Sequence, residues 1–124
     1  MAAHAPGFLQ LVNDAKKNIR ECTVEDVVKW KQEGRSFYFV DCREDNEWAA
    51  GRAQGAIHLG KGVIERDIEA TIPDKSAEIV IYCGGGFRSA LAAEALKKMG
   101  YQNPISMDGG IRAWRAARLP EDKG

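Results

Sequence analysis

Apolar residues in this chain fall into short runs and helical stripes that alternate along its length. After Pro6, the residues Phe8, Leu9, Val12, Ala15 and Ile19 recur at helical spacing, which predicts an amphipathic helix in an extension over residues 1–18. Ile19 to Cys22 predicts a short edge strand. Thr23 followed by Asp26 is a helix-start signal, and Val24, Val27, Val28 and Trp30 carry the helical stripe until Gly34 stops it. The run Phe37-Tyr38-Phe39-Val40 is too short for a helix and predicts a buried strand. A short helix over residues 44–50 ends at Gly51, a weaker strand spans Ala56 to Leu59, and a second short helix spans Val63 to Ala70.

Ile79-Val80-Ile81-Tyr82 is the clearest strand, and it runs directly into Cys83-Gly84-Gly85-Gly86-Phe87-Arg88-Ser89 and an Ala- and Leu-rich helix that Gly100 closes. Ile105 to Met107 predicts a last strand, followed by Gly109-Gly110 and a helix to about Arg118. Strands alternating with helices predict an α/β fold, a mostly parallel sheet covered on both faces.

Composition narrows the class. With 124 residues the chain can bury a core as one domain, and 18 basic against 18 acidic side chains leave no global field for nucleic acid or an anionic membrane. The N-terminus carries no basic segment followed by an apolar one, and no run reaches membrane-spanning length, so a soluble, cytoplasmic protein is expected. The three cysteines at 22, 42 and 83 cannot all pair and do not sit at metal-ligand spacing, which argues against a disulfide framework or a zinc site.

The chemistry points to Cys83. Ligands of open α/β sheets bind beyond the carboxyl ends of the strands, where a glycine-rich turn aims backbone N–H groups at one point. Gly84, Gly85 and Gly86 keep side chains out of that turn. A thiolate there gains from the converging amides, the helix N-terminus and the Arg88 guanidinium, and Ser89 is expected to cap the helix. The same donors suit an anionic persulfide. A buried, unreactive Cys at a strand end is the plainer alternative, but strand, Cys, three glycines, Arg and helix start coincide here.

The chain resembles the rhodanese homology domain over residues 19–120. The marks are Asp41-Cys42-Arg43, Glu47-Trp48 with Gly51, Gly55-Ala56-Ile57-His58, the loop from Cys83 to Arg88, and Gly109-Gly110 followed by Trp114. The resemblance implies a three-layer fold, a five-stranded mostly parallel sheet with helices on both faces, with residues 121–124 left as a tail. It also implies a single-domain sulfurtransferase that forms a persulfide on catalytic Cys83, with Gly84, Gly85, Gly86, Phe87 and Arg88 as the substrate-binding loop. The sulfur donor would be thiosulfate or a persulfide, the acceptor cyanide or a thiol, either of them small or carried on a protein. No metal or organic cofactor is implied, nor a nucleic-acid or membrane partner. Members usually carry His, Ile and Pro between the two glycines where this chain has Arg52-Ala53-Gln54. The alternatives are a non-catalytic sulfur-carrier or protein-binding module, and a cysteine phosphatase or arsenate reductase. Phosphatases of related architecture place five residues between nucleophile and arginine, whereas four lie between Cys83 and Arg88.

Other residues read as structural. Asp41 and Arg43 are expected to pair, and Cys42 between them to point the other way, buried and inert. Cys22 is a packing residue, able to act as a resolving thiol only within disulfide range of Cys83. His58 suits a packing or hydrogen-bonding role, Trp48 and Trp114 are packing anchors, and Lys61, Glu65 and Arg66 are solvated. Phe87 is expected at the mouth of the site. Arg88 either attracts the donor or fastens the loop. As the loop's one charge, it leaves little positive field for thiosulfate, which favours a persulfide on a small thiol or protein as the working donor.

Overall fold

A computed structural model of the chain describes residues 4–123; residues 1–3 of the extension and residue 124 of the tail lie outside the described residues. Five strands form one parallel sheet: β1 (Arg20–Cys22), β2 (Tyr38–Asp41), β4 (Ile57–His58), β5 (Glu78–Tyr82) and β6 (Asn103–Met107), in the order β1-β6-β5-β2-β4. The fold is therefore the expected α/β arrangement of a five-stranded parallel sheet between helices.

Alternation along the two central strands divides the core. Val40, Cys42, Ile79, Ile81 and Cys83 face one layer, where Ile64 and Ile68 of α4 (Ile64–Thr71) and Ala92, Ala93 and Leu96 of α5 (Phe87–Lys98) cover them. Phe39, Val80 and Tyr82 face the other, against Val24 and Val27 of α2 (Val24–Gln32) and Ile111 and Trp114 of α6 (Gly110–Ala116). Burial of each such side chain contributes roughly 1.5–3 kcal/mol, so both layers must be filled before β5 is held in the middle of the sheet. Helix α2 begins with the expected reciprocal cap, Thr23 Oγ1 accepting from Asp26 N–H and the Asp26 carboxylate accepting from Thr23 N–H.

Helix α1 (Pro6–Lys16) lies on α5 through Val12 and Ala15, both buried. Beyond the expected elements, β3 (Arg52–Ala53) pairs antiparallel with β7 (Glu121–Asp122), so two residues of the segment read as a tail are tied back to the body. Helix α3 (Asp45–Ala50) stands beside the sheet's carboxyl edge and supplies Glu47.

Candidate active site

Cys83 follows the last residue of β5, and its sulfur does the work of a helix cap. Helix α5 starts at Phe87 after Gly86, whose φ of +103° is open to glycine alone at little cost. This turn aims the Gly86 and Ser89 N–H groups at Cys83 Sγ, at 3.2 and 3.3 Å. Ser89 is thus not the capping residue expected from its position. Its amide serves the sulfur, its hydroxyl lies 3.5 Å from Sγ, and that hydroxyl is anchored by Ser106 Oγ at 2.8 Å.

Helix α6 explains why the loop's donors point inward. Its first amides take up the loop carbonyls, Ile111 N–H donating to Cys83 O at 2.9 Å and Arg112 N–H to Gly84 O at 3.2 Å. Carbonyl oxygens turned toward α6 leave the amides to face the sulfur. This approach requires Gly110, where an added Cβ would stand 2.3 Å from Cys83 O, with φ at +54°. The Gly109-Gly110 pair is a close-packing device.

The thiol of Cys83 is drawn down from its ordinary value of 9.0 to about 4. The largest cause is the neighbouring Cys42 thiol; burial opposes it, and the Ser89 hydroxyl and the Ser89 and Gly86 amides, which hydrogen-bond to the sulfur, add to the lowering. Two expectations change here. Cys42 does point away from Asp41 and Arg43, but that direction leads to Cys83, because strands β2 and β5 are neighbours in register. Arg88 is not among the leading causes. Its guanidinium is held by Glu47 in a two-pronged pair at 2.7 and 3.1 Å, which drives Glu47 down to about 2 and fastens the start of α5 to α3.

A cavity of about 250 Å³ opens over the sulfur. Gly84, Gly85, Phe87 and Arg88 line it with Cys83, while Gly86 serves from behind. Cys83 is only 1% exposed, so reagents reach it through this space. Three further residues line the cavity that the sequence did not single out: His4, Phe8 and Arg112. The His4 ring meets Phe87 edge-on at 4.5 Å between centroids, and Phe8 stands 6.2 Å from it. His4 and Phe8 thereby wall the cavity beside Phe87. Arg112 lies along Gly84 and Gly85, within 3.2 Å of where a Gly85 Cβ would be. Nearby Arg43, Arg88 and Arg115 are each paired with a carboxylate; among the described residues Arg112 is not. The site thus has a cation that the loop sequence lacks.

The remaining residues are structural. Arg43 grips Asp41 and the Gly51 carbonyl, each at 2.7 Å, in the buried interior. His58 Nε2 contacts Arg43 O at 2.8 Å, and its ring stacks on Trp48, while Trp114 Nε1–H donates to Pro120 O at 2.8 Å. Cys22 sits on β1 facing the opposite layer, with β6 between it and β5, which excludes it as a partner of Cys83. No group of side chains suited to a metal ion occurs among the described residues. No helix there is long and apolar enough to cross a membrane.

Known proteins share this architecture. The putative sulfurtransferase YtwF of Bacillus subtilis is 29% identical over 106 residues, covering 86% of this chain and 97% of its own. The probable adenylyltransferase/sulfurtransferase MoeZ of Mycobacterium tuberculosis is 28% identical over 113 residues, 90% of this chain, but the chain spans only 29% of MoeZ. Among solved structures, a Rhodopseudomonas palustris protein of unknown function named as a possible tyrosine phosphatase superposes with a TM-score of 0.85 at 28% identity, over 98% of this chain and 99% of its own. The polysulfide-sulfur transferase homodimer of Wolinella succinogenes gives 0.79 at 25% identity, over 95% and 88%. The model of the rhodanese-like domain matches residues 23–117, and the chain belongs to that family.

Proposed function

We propose that the protein is a sulfurtransferase that carries a sulfane sulfur on Cys83, and the observation that supports it most is the low-pKa sulfur seated in a cradle of N–H donors below a small cavity. The Cys83 thiolate attacks the outer sulfur of thiosulfate, the S–S bond breaks, and sulfite leaves with the bonding pair. A persulfide donor reacts likewise and leaves a thiolate. Cyanide or a thiolate then attacks the outer sulfur of the Cys83 persulfide, forming thiocyanate or a new persulfide and restoring the thiolate. Amides of the Gly84 to Arg88 loop hold the outer sulfur in the loaded form. Arg112 faces the donor's anionic end, a charge that widens the choice to thiosulfate as well as persulfides, while Glu47 and Arg88 keep the loop in shape. Residues 19–120 act as one domain and residues 1–18 as an extension, of which His4 and Phe8 line the cavity.

The test is intact-mass measurement after thiosulfate and then cyanide. The expected result is a gain of one sulfur atom on Cys83, lost again to cyanide, and absent in Cys83→Ser. Sulfur transfer at the parent rate by Cys83→Ser would refute the mechanism. Loading without turnover would indicate a sulfur carrier. Cys83-dependent hydrolysis of p-nitrophenyl phosphate would indicate a phosphatase, against which the four-residue spacing to Arg88 stands.

A further inference from the structure

The pairing of β2 with β5 continues past the strand ends. Asp41 stands opposite Tyr82, and Cys42 N–H donates to Tyr82 O at 2.9 Å, so the next residues along, Cys42 and Cys83, come side by side on the same face. Adjacent strands lie about 4.7–4.9 Å apart, inside the Cα separation of roughly 4.4–6.8 Å that a disulfide needs. The register thus sets the two residues at a spacing a disulfide can bridge. Cys83 opens to the cavity, while Cys42 lies behind it, 1% exposed and without access of its own.

We propose that Cys42 is the resolving thiol of Cys83: peroxide entering the cavity oxidises Cys83, and Cys42 then closes a Cys42–Cys83 disulfide that holds the nucleophile in a reversible, inactive form. In the first step the Cys83 thiolate attacks one peroxide oxygen, the O–O bond breaks, and hydroxide leaves, giving a sulfenic acid. In the second, the Cys42 sulfur attacks Cys83 Sγ, the S–O bond breaks, and the Cys42 proton departs with the hydroxyl group as water. A small dithiol returns both residues to thiols.

The resting state explains why Cys42 does not act earlier. The neighbouring Cys83 thiolate, with burial second, pushes the Cys42 thiol well up and keeps its proton in place. A sulfenic acid is neutral and releases that proton, whereas a persulfide stays anionic and keeps it. The sulfur-loaded form is thereby spared from attack by Cys42, and the oxidised form is not. Cys22 offers no such route from the opposite layer.

The experiment treats the reduced protein with hydrogen peroxide, alkylates it in denaturant, and maps the peptides by mass. The expected result is an intact mass lower by two hydrogens, a peptide pair linking Cys42 to Cys83, Cys22 alkylated, and full reversal by dithiothreitol. In Cys42→Ser the same treatment should take Cys83 on to the sulfinic and sulfonic acids, which dithiothreitol does not reverse, and Cys22→Ala should behave as the parent. A parent protein that gains two or three oxygens on Cys83 with no linked peptide, or that links Cys83 to Cys22 or to a second molecule, overturns the proposal. Peptide mass reads this without any sulfur transfer, so failure of the sulfurtransferase reading would leave the result standing.

Discussion

Replacing Cys42 by alanine removes the neighbouring thiol from the Cys83 sulfur and leaves its three hydrogen-bonded groups, the Gly86 and Ser89 amides and the Ser89 hydroxyl. A hydrogen bond to a charged group contributes about 1.5–3 kcal/mol, and one pKa unit corresponds to about 1.4 kcal/mol. A thiol is a weak donor, so the lower end applies and Cys83 should rise by about one unit from about 4, staying far below 9.0. The assay is the rate of alkylation by iodoacetamide as a function of pH in both proteins. The midpoint should move upward in Cys42→Ala while the plateau near pH 8 is unchanged, since both proteins are ionised there. An unmoved midpoint would show that Cys42 gives the thiolate nothing; a midpoint near 9 would show that the amide cradle gives it nothing. Stability follows the same group. Between the folded value of about 4 and an unfolded value near 9.0, the unfolded chain binds the extra proton. This contribution is therefore full above about 9 and is lost as pH falls toward 4, with a slope of at most about 1.4 kcal/mol per pH unit. In Cys42→Ala the loss should finish at a higher pH, as urea titrations at several pH values would record.

Arg112→Gln should raise KM for thiosulfate about tenfold, near the 1.5 kcal/mol of one charge-assisted contact, with kcat little changed; an equal KM would remove Arg112 from the donor site. Gly110→Ala places a methyl group 2.3 Å from Cys83 O at a positive φ and should cost at least about 1–3 kcal/mol. Urea unfolding reads the loss, and a parent-like midpoint with full activity would show that the loop carbonyls do not need α6 so close.

What the chain determines locally was legible in it. Strand β5, the Cys83 loop and α5 are contiguous, so an apolar run, three glycines and an Ala-rich stripe reveal strand, glycine turn and helix together. The same holds for the cap of α2 and for the parallel sheet, where strand and helix patterns alternate. Contacts across the sequence needed the tertiary structure. Cys42 looked inert because alternation says which way a side chain turns, not what stands on the neighbouring strand; the β2–β5 register puts Cys83 there. Arg88 alone was ambiguous until α3 brought Glu47 against it. Arg112 carries no signal in its own helix, and reaches the loop because Gly110 lets α6 close on the carbonyls of Cys83 and Gly84. His4 and Phe8 reach the mouth only because α1 packs along α5. Local periodicity encodes elements and their buried faces, whereas the groups that tune a buried sulfur act over a few ångströms, a distance that only packing sets.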